Sequence, residues 1–383
     1  MSTLSTLPIV DLDIFLADPL SPAAVAEAKK TADALVTYGA LVIKDSRINE
    51  EDNEKFLNLL ENYFAQSEEI IKKDVRKEWA YQVGVTPELT LKPKCVFEES
   101  CMDIIEKLDP NERPLDVSGR PSDPKTRYYT ENGIIIEAEV RRRFFWKMST
   151  PPPYETEFPL SSIPNIIPDA FADVWQTTLE TWGNTLKTAV ENVAELAALG
   201  FGLPRSVFTD AAKYGPHLLG PTSSNLAKYG KENTILAGFH SDLNCLTIHG
   251  RARYPGLHIW ARNTGKRMSV KIPPGKFMLV QAGKQFEYLT GGYVRAGYHE
   301  VVVNDQTIET INRRKVDYPD RPLIRISSTF FWHLSSDFTL EPIHELAIRV
   351  PEDEKGKTQY PPIKVGAQVR NEVKDINLGQ GNV

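Results

Sequence analysis

The feature that most constrains this chain is a change of pattern near Leu226. From there to Trp332, short runs rich in β-branched and aromatic residues alternate with Gly, Pro and Asn: LTIHG, GLHIWA, MSVKI, KFMLVQAG, HEVVV and IRISSTFFW. Each run has the length of a strand, and each break carries turn residues. Many short antiparallel strands joined in this way pack as a jelly roll. Helices precede this region. Ser21-Pro22 opens an Ala-rich helix that Gly39 stops, between strand-like runs at 7–12 (LPIVDL) and 40–43 (ALVI). Glu51 to Ala65 reads as a second helix. Phe171 to Leu199 is the clearest, with Trp175, Leu179, Trp182, Leu186, Val190, Val193 and Leu196 at steps of three or four. Such a helix buries one face along a sheet. The expected fold class is mostly β with flanking helices (α+β), a jelly-roll core behind an N-terminal helical region.

Composition narrows the function classes. Hydrophobic residues make up 41% of the 383 and charged ones 25%, as in a globular protein. A net charge of -6 gives no electrostatic reason to expect nucleic acid or an anionic membrane as partner. No apolar run of about 20 residues suggests a membrane span, and Met1 to Leu7 lack the pattern of a signal peptide. Cys95, Cys101 and Cys245 are too few for a disulfide framework and suit a reducing, cytoplasmic setting. Three parts are expected. Residues 1–170 form an N-terminal region of strands, helices and substrate-side loops. Residues 171–350 hold the long helix and the catalytic core, and 351–383 a loosely attached tail. Within the first part, 72–165 reads as long loops and short helices, with Arg141 to Arg143 on a solvated or salt-bridged helix face, a substrate-carboxylate role being the lesser alternative. Thr307 to Pro322 reads as a charged hairpin extension or loop.

The chemistry concentrates in the strand-rich half. In His240-Ser241-Asp242, residues i and i+2 of an extended strand point the same way, so both side chains can face one pocket. His299, after the aromatic and glycine-rich run YLTGGYVRAGYH (read as a strand), is the best third ligand. Two imidazoles and one carboxylate on one face of an octahedron leave three positions open, the facial arrangement of non-haem Fe(II) oxygenases. Arg325-Ile326-Ser327 offers a planar cationic fork and a hydroxyl on one strand face, suited to a carboxylate. Tyr229 can add a hydrogen bond, and Phe331 is a candidate pocket residue. His217, His249, His258, His333 and His344 lack partner spacing and read as structural, and Cys245 as a small core residue.

In order and spacing, these motifs resemble the isopenicillin N synthase-like group of 2-oxoglutarate/Fe(II) dioxygenases. PGLHIW resembles its GLQV strand, VKIPPGKFMLVQAG its proline-glycine turn, YLTGGYVRAGYHEVVV the strand before its second histidine, and LPIVDLDIF its first strand. The resemblance implies a double-stranded β-helix and a requirement for Fe(II), 2-oxoglutarate and O2, with succinate and CO2 as products. It implies iron on His240, Asp242 and His299. It implies the distal carboxylate of 2-oxoglutarate on Arg325 and Ser327, with Tyr229 assisting. The chain departs from the family pattern at Ala227, Glu300 and Lys284, and places Arg325 unusually far beyond His299. The expected activity is hydroxylation or desaturation of a small organic molecule, as in secondary metabolism. Two other readings stay open. LAALGFGLPRSVFTD faintly resembles the bacterial ethylene-forming enzyme, which would mean atypical oxidation in the same fold. A ligand sensor or zinc hydrolase is the other, and the intact triad with Arg325-x-Ser327 argues against it.

Overall fold

The strand runs form two opposed sheets in the computed structural model, which describes residues 7–91, 95, 99–115, 139–158 and 163–375. The remainder of the 72–165 segment, the first six residues and the tail beyond 375 lie outside the described residues, and so do the expectations that fall on them. The larger sheet runs Ile9–Asp11, Ala40–Lys44, Phe277–Ala282, Leu246–Gly250, Ile324–Trp332, Leu218–Leu219, Arg142–Lys147 and Gly84–Thr86. Thr222–Asn225 pairs beside the last strand of the core. The smaller sheet runs Arg267–Ser269, Leu257–Trp260, Tyr298–Val302 and Ile235–Ser241. Along the chain from Ile235 to Trp332 the strands cross back and forth between the two sheets, which is the double-stranded β-helix. A pocket can therefore lie between the sheets, walled by the inward side chains of both.

One strand illustrates how the layers are set. Successive side chains of a strand alternate between faces. On Ile324–Trp332, Ile326, Phe330 and Trp332 join the helical core with Trp182 and Leu186, while Arg325, Ser327, Thr329 and Phe331 line the inter-sheet cavity. The buried Trp182 also donates its indole N–H to Ser328 Oγ at 2.5 Å. Burying one such large apolar side chain stabilises by about 2–3 kcal/mol. Behind this layer, helix Pro22–Tyr38 lies against helix Trp175–Gly200. A Cβ at Gly200 would fall 2.0 Å from the carbonyl oxygen of Ala28, so glycine lets the two helices approach. The first helix is capped as its sequence suggests. Ser21 Oγ accepts from the Ala24 N–H, and Gly39 ends the helix at φ 66°.

Five expectations are corrected. The charged stretch after His299 is a helix, Asp305–Asp317, because Asn304 and Thr307 form a capping box. YLTGGYVRAGYH is not a strand. Helix Lys284–Leu289 is followed by Gly291 and Gly292 at φ 60° and 87°, a backbone no strand adopts, and the strand starts at Tyr298. Arg142 and Arg143 belong to a strand, Arg142–Lys147, and not to a helix face. The C-terminal stretch is docked. Helix Val365–Asp375 buries Val365, Val369 and Val373 in the main core. Cys95 and Cys101 are disulfide-bonded, whereas Cys245 is a buried free thiol. No described helix is long and apolar enough to cross a membrane.

Candidate metal centre

His240 and His299 are register partners on adjacent antiparallel strands of the smaller sheet. Partners across such a pair project from the same face, and their rings lie 4.3 Å apart. Asp242 sits two residues beyond His240. Its Oδ1 is 3.8 Å from His240 Nε2 and 3.9 Å from His299 Nε2. All three donor atoms fall within 4.8 Å of one another. Three ligands on one face of an ion at bond lengths of about 2.1 Å stand about 3 Å apart, so these donors converge on one ion once the side chains close by about 1 Å.

The surroundings orient these donors. His240 Nδ1 is 2.6 Å from the Gly238 carbonyl oxygen. A proton on Nδ1 therefore leaves the Nε2 lone pair facing Asp242. Thr247 Oγ1 donates to Asp242 Oδ2 at 2.7 Å, which leaves Oδ1 toward the histidines. Burial pushes the His240 pKa well below its ordinary value, reinforced by His299 and Arg141, so the ring is neutral. Burial alone would raise the Asp242 pKa, but His299, His240 and Thr247 outweigh it and hold the carboxyl below its ordinary value. Two imidazoles and a carboxylate form a donor set that suits a divalent first-row metal such as Fe(II). Thr247→Val is expected to weaken Fe(II) binding about tenfold in an anaerobic titration, because Asp242 loses the bond that aims it. Unchanged affinity would exclude that role for Thr247.

Two cavities meet at this cluster. The larger, about 480 Å³, is lined by His240, Asp242 and His299 from one sheet and by Arg325, Ser327 and Thr329 from the other. Arg325 is buried, and its Nε donates to the carbonyl oxygens of Tyr254 and Pro255 at 3.2 and 3.4 Å. No carboxylate of the described residues pairs with it. Burial lowers its pKa to about 10, which leaves it cationic at neutral pH. Ser327 Oγ accepts from the Thr222 N–H at 3.0 Å. The smaller cavity, about 190 Å³, shares His240, Asp242 and Phe331 with the first. Its other walls include Arg143, Phe145, Phe158, Leu218 and Val369. Phe331 stands edge-on to Phe145 at 6.2 Å.

Tyr229 is not brought to either cavity. It ends a short helix, Leu226–Tyr229, and its hydroxyl donates to Glu88 at 3.4 Å. The cause is Asn225, whose side chain accepts the N–H groups of Ala227 and Lys228 and so ends the strand before Tyr229 is reached. Ser224 and Thr222, paired with Arg325 and Ser327, line the larger cavity instead. His249, read as structural, also lines that cavity. It contacts Gln281 Oε1 at 3.1 Å and Thr329 Oγ1 at 3.2 Å, and burial takes its pKa down to about 4. Its place in LTIHG, two residues after Thr247, is the signal that could have found it. His333 lines the smaller cavity, while His217, His258 and His344 line neither.

Residues 211–334 match the family model of the 2OG-Fe(II) oxygenase superfamily. No curated protein sequence matches the chain. Among solved structures, a protein of Caulobacter crescentus assigned to the 2OG-Fe(II) oxygenase family superposes with a TM-score of 0.68 at 17% identity, covering 98% of this chain and 100% of that one. A full-length protein of Neurospora crassa in complex with alpha-KG gives a TM-score of 0.67 at 15% identity, covering 96% of each chain. JOX2 in complex with 2OG, Fe and JA gives 0.61 at 16% identity, covering 100% of this chain and 89% of that one. At these identities the structural likeness is one of fold.

Proposed function

We propose a substrate-level reaction for a chain whose residues 211–334 belong to the 2OG-Fe(II) oxygenase superfamily. It is a non-haem Fe(II)- and 2-oxoglutarate-dependent dioxygenase, and it takes Fe(II), 2-oxoglutarate and O2. The proposed reaction is hydroxylation or desaturation of a small organic molecule. For hydroxylation the balance is one C–H bond, one 2-oxoglutarate and one O2 consumed, with one alcohol, one succinate and one CO2 formed. The observation that carries the reading is the meeting of two cavities at one three-donor cluster, the larger holding an arginine with no carboxylate partner among the described residues.

In this reading His240, Asp242 and His299 hold the metal. Fe(II), when bound, supplies the O2 activation that protein side chains cannot. The protein does the positioning. Arg325 and Ser327 take the distal carboxylate of 2-oxoglutarate, the arginine through its fork and the serine through its hydroxyl. The carbonyls of Tyr254 and Pro255 hold the guanidinium in place, so little order is lost on binding. The apolar walls of the smaller cavity exclude water and present one substrate C–H bond to the metal centre.

Arg325→Ala tests the co-substrate assignment. The expected result is a KM for 2-oxoglutarate raised about 100-fold, read as succinate production, since a buried charge pair loses one partner. Arg325→Lys should recover part of the loss. A KM unchanged in Arg325→Ala would remove 2-oxoglutarate from this cavity.

A further inference from the structure

The strand Arg142–Lys147 is sorted by its alternation. Phe144 and Trp146 enter the helical core, and Arg143, Phe145 and Lys147 line the smaller cavity. The cations around Arg143 have partners. Arg142 contacts Glu68 at 3.3 Å, Arg141 pairs with Glu139 at 2.5 Å, and Lys147 Nζ donates to the Ile163 carbonyl. Glu139 is itself committed, because its other oxygen accepts the Gly238 N–H at 3.1 Å. Arg143 differs. Its guanidinium lies over the Phe145 ring at 3.9 Å. Its Nε and Nη2 are buried without a hydrogen-bond partner among the described residues.

Those two nitrogens share one edge of the guanidinium, and that edge matches the two oxygens of a carboxylate. A buried cation without a partner costs several kcal/mol. Burial, with Arg141 nearby, lowers its pKa to about 9, Glu139 opposing, so it stays charged at neutral pH. Among the described residues the Phe145 ring and the more distant charge of Glu139 offset part of this cost, whereas an anionic ligand would also satisfy both nitrogens. The remaining walls combine apolar side chains (Leu91, Phe158, Leu218, Val369 and Val373) with polar ones (Gln82, Glu139, Arg141, Asn244, His333 and Glu372), and the metal-centre residues His240 and Asp242 also line the cavity.

We propose that Arg143 binds the carboxylate of the substrate. The substrate is then a small organic acid with an apolar body, anchored at Arg143 and oxidised at a carbon held near the His240, Asp242 and His299 cluster. This rests on the function proposed above. Its test is binding rather than turnover, so the two can fail separately.

The test compares acids with their uncharged amides on Fe(II)-loaded protein held without O2. The probes are 3-phenylpropanoate and octanoate against 3-phenylpropanamide and octanamide, by calorimetry. Wild type is expected to bind the acids about 30-fold more tightly than the amides. Arg143→Gln and Arg143→Met should erase that preference, and Arg143→Lys should keep part of it. Arg143→Met should melt no lower than wild type, because it removes an uncompensated charge. The preference decides. If wild type binds acids and amides alike, binds neither acid at millimolar concentration, or keeps the preference in Arg143→Gln and Arg143→Met, the proposal is overturned.

Discussion

Asp242→Ala is expected to lower Fe(II) affinity by on the order of 100-fold or more and to abolish succinate production. Loss of a partner that merely orients a metal ligand costs roughly 10- to 100-fold, and a ligand itself costs at least as much. Asp242 is the anionic member of the cluster, and its Oδ1 lies 3.8 and 3.9 Å from the Nε2 atoms of His240 and His299. Without it, two imidazole rings remain on adjacent strands and the donor set has lost its one carboxylate. The fold should persist, since the larger sheet and the helical layer do not depend on this side chain. Anaerobic Fe(II) titration and succinate assay measure the two effects. If iron binding and turnover both survive, the triad assignment is wrong, and His249, 6.2 Å from His299 ring to ring, becomes the next ligand to test.

Glu61→Ala is expected to destabilise the fold by about 3 kcal/mol, the lower end of what breaking a buried ion cluster costs, since its three arginines are all partly exposed. Glu61 lies on helix Glu50–Phe64 and is 1% exposed. Arg253 Nη1 is 2.7 Å from its Oε1, and Arg321 and Arg314 lie 3.0 and 3.9 Å from its Oε2. Removing the carboxylate leaves these cations facing one another. The consequence reaches the metal centre's neighbour. Arg314 donates to Tyr254 Oη at 3.0 Å, and the Tyr254 carbonyl holds Arg325. The variant should therefore also raise the KM for 2-oxoglutarate. Denaturant unfolding and the succinate assay separate the two effects. A midpoint equal to that of wild type would mean that solvation and the Arg253–Glu54 pair, and not Glu61, compensate these arginines.

The order of strands, the main helices and the candidate donors were legible in the sequence because they rest on local geometry. The i, i+2 spacing places His240 and Asp242 on one face whatever surrounds them, and capping residues mark helix ends. Local signals also misled where two rules competed. Asn225 works as a cap and withdraws Tyr229 from the strand. Gly291-Gly292 breaks a run that otherwise reads as extended. Other features depend on partners distant in sequence. His299 faces His240 only through strand register. Arg141 to Arg143 could sit on a helix or a strand by composition, and the pairing of Arg142–Lys147 with Gly84–Thr86 and Leu218–Leu219 settles which. That pairing turns Arg143 inward, against the ordinary preference of a charged side chain for water. Sequence thus determined which residues could do the chemistry. The tertiary structure decided which of them share a cavity, because register and burial are set by long-range contacts that no local pattern encodes.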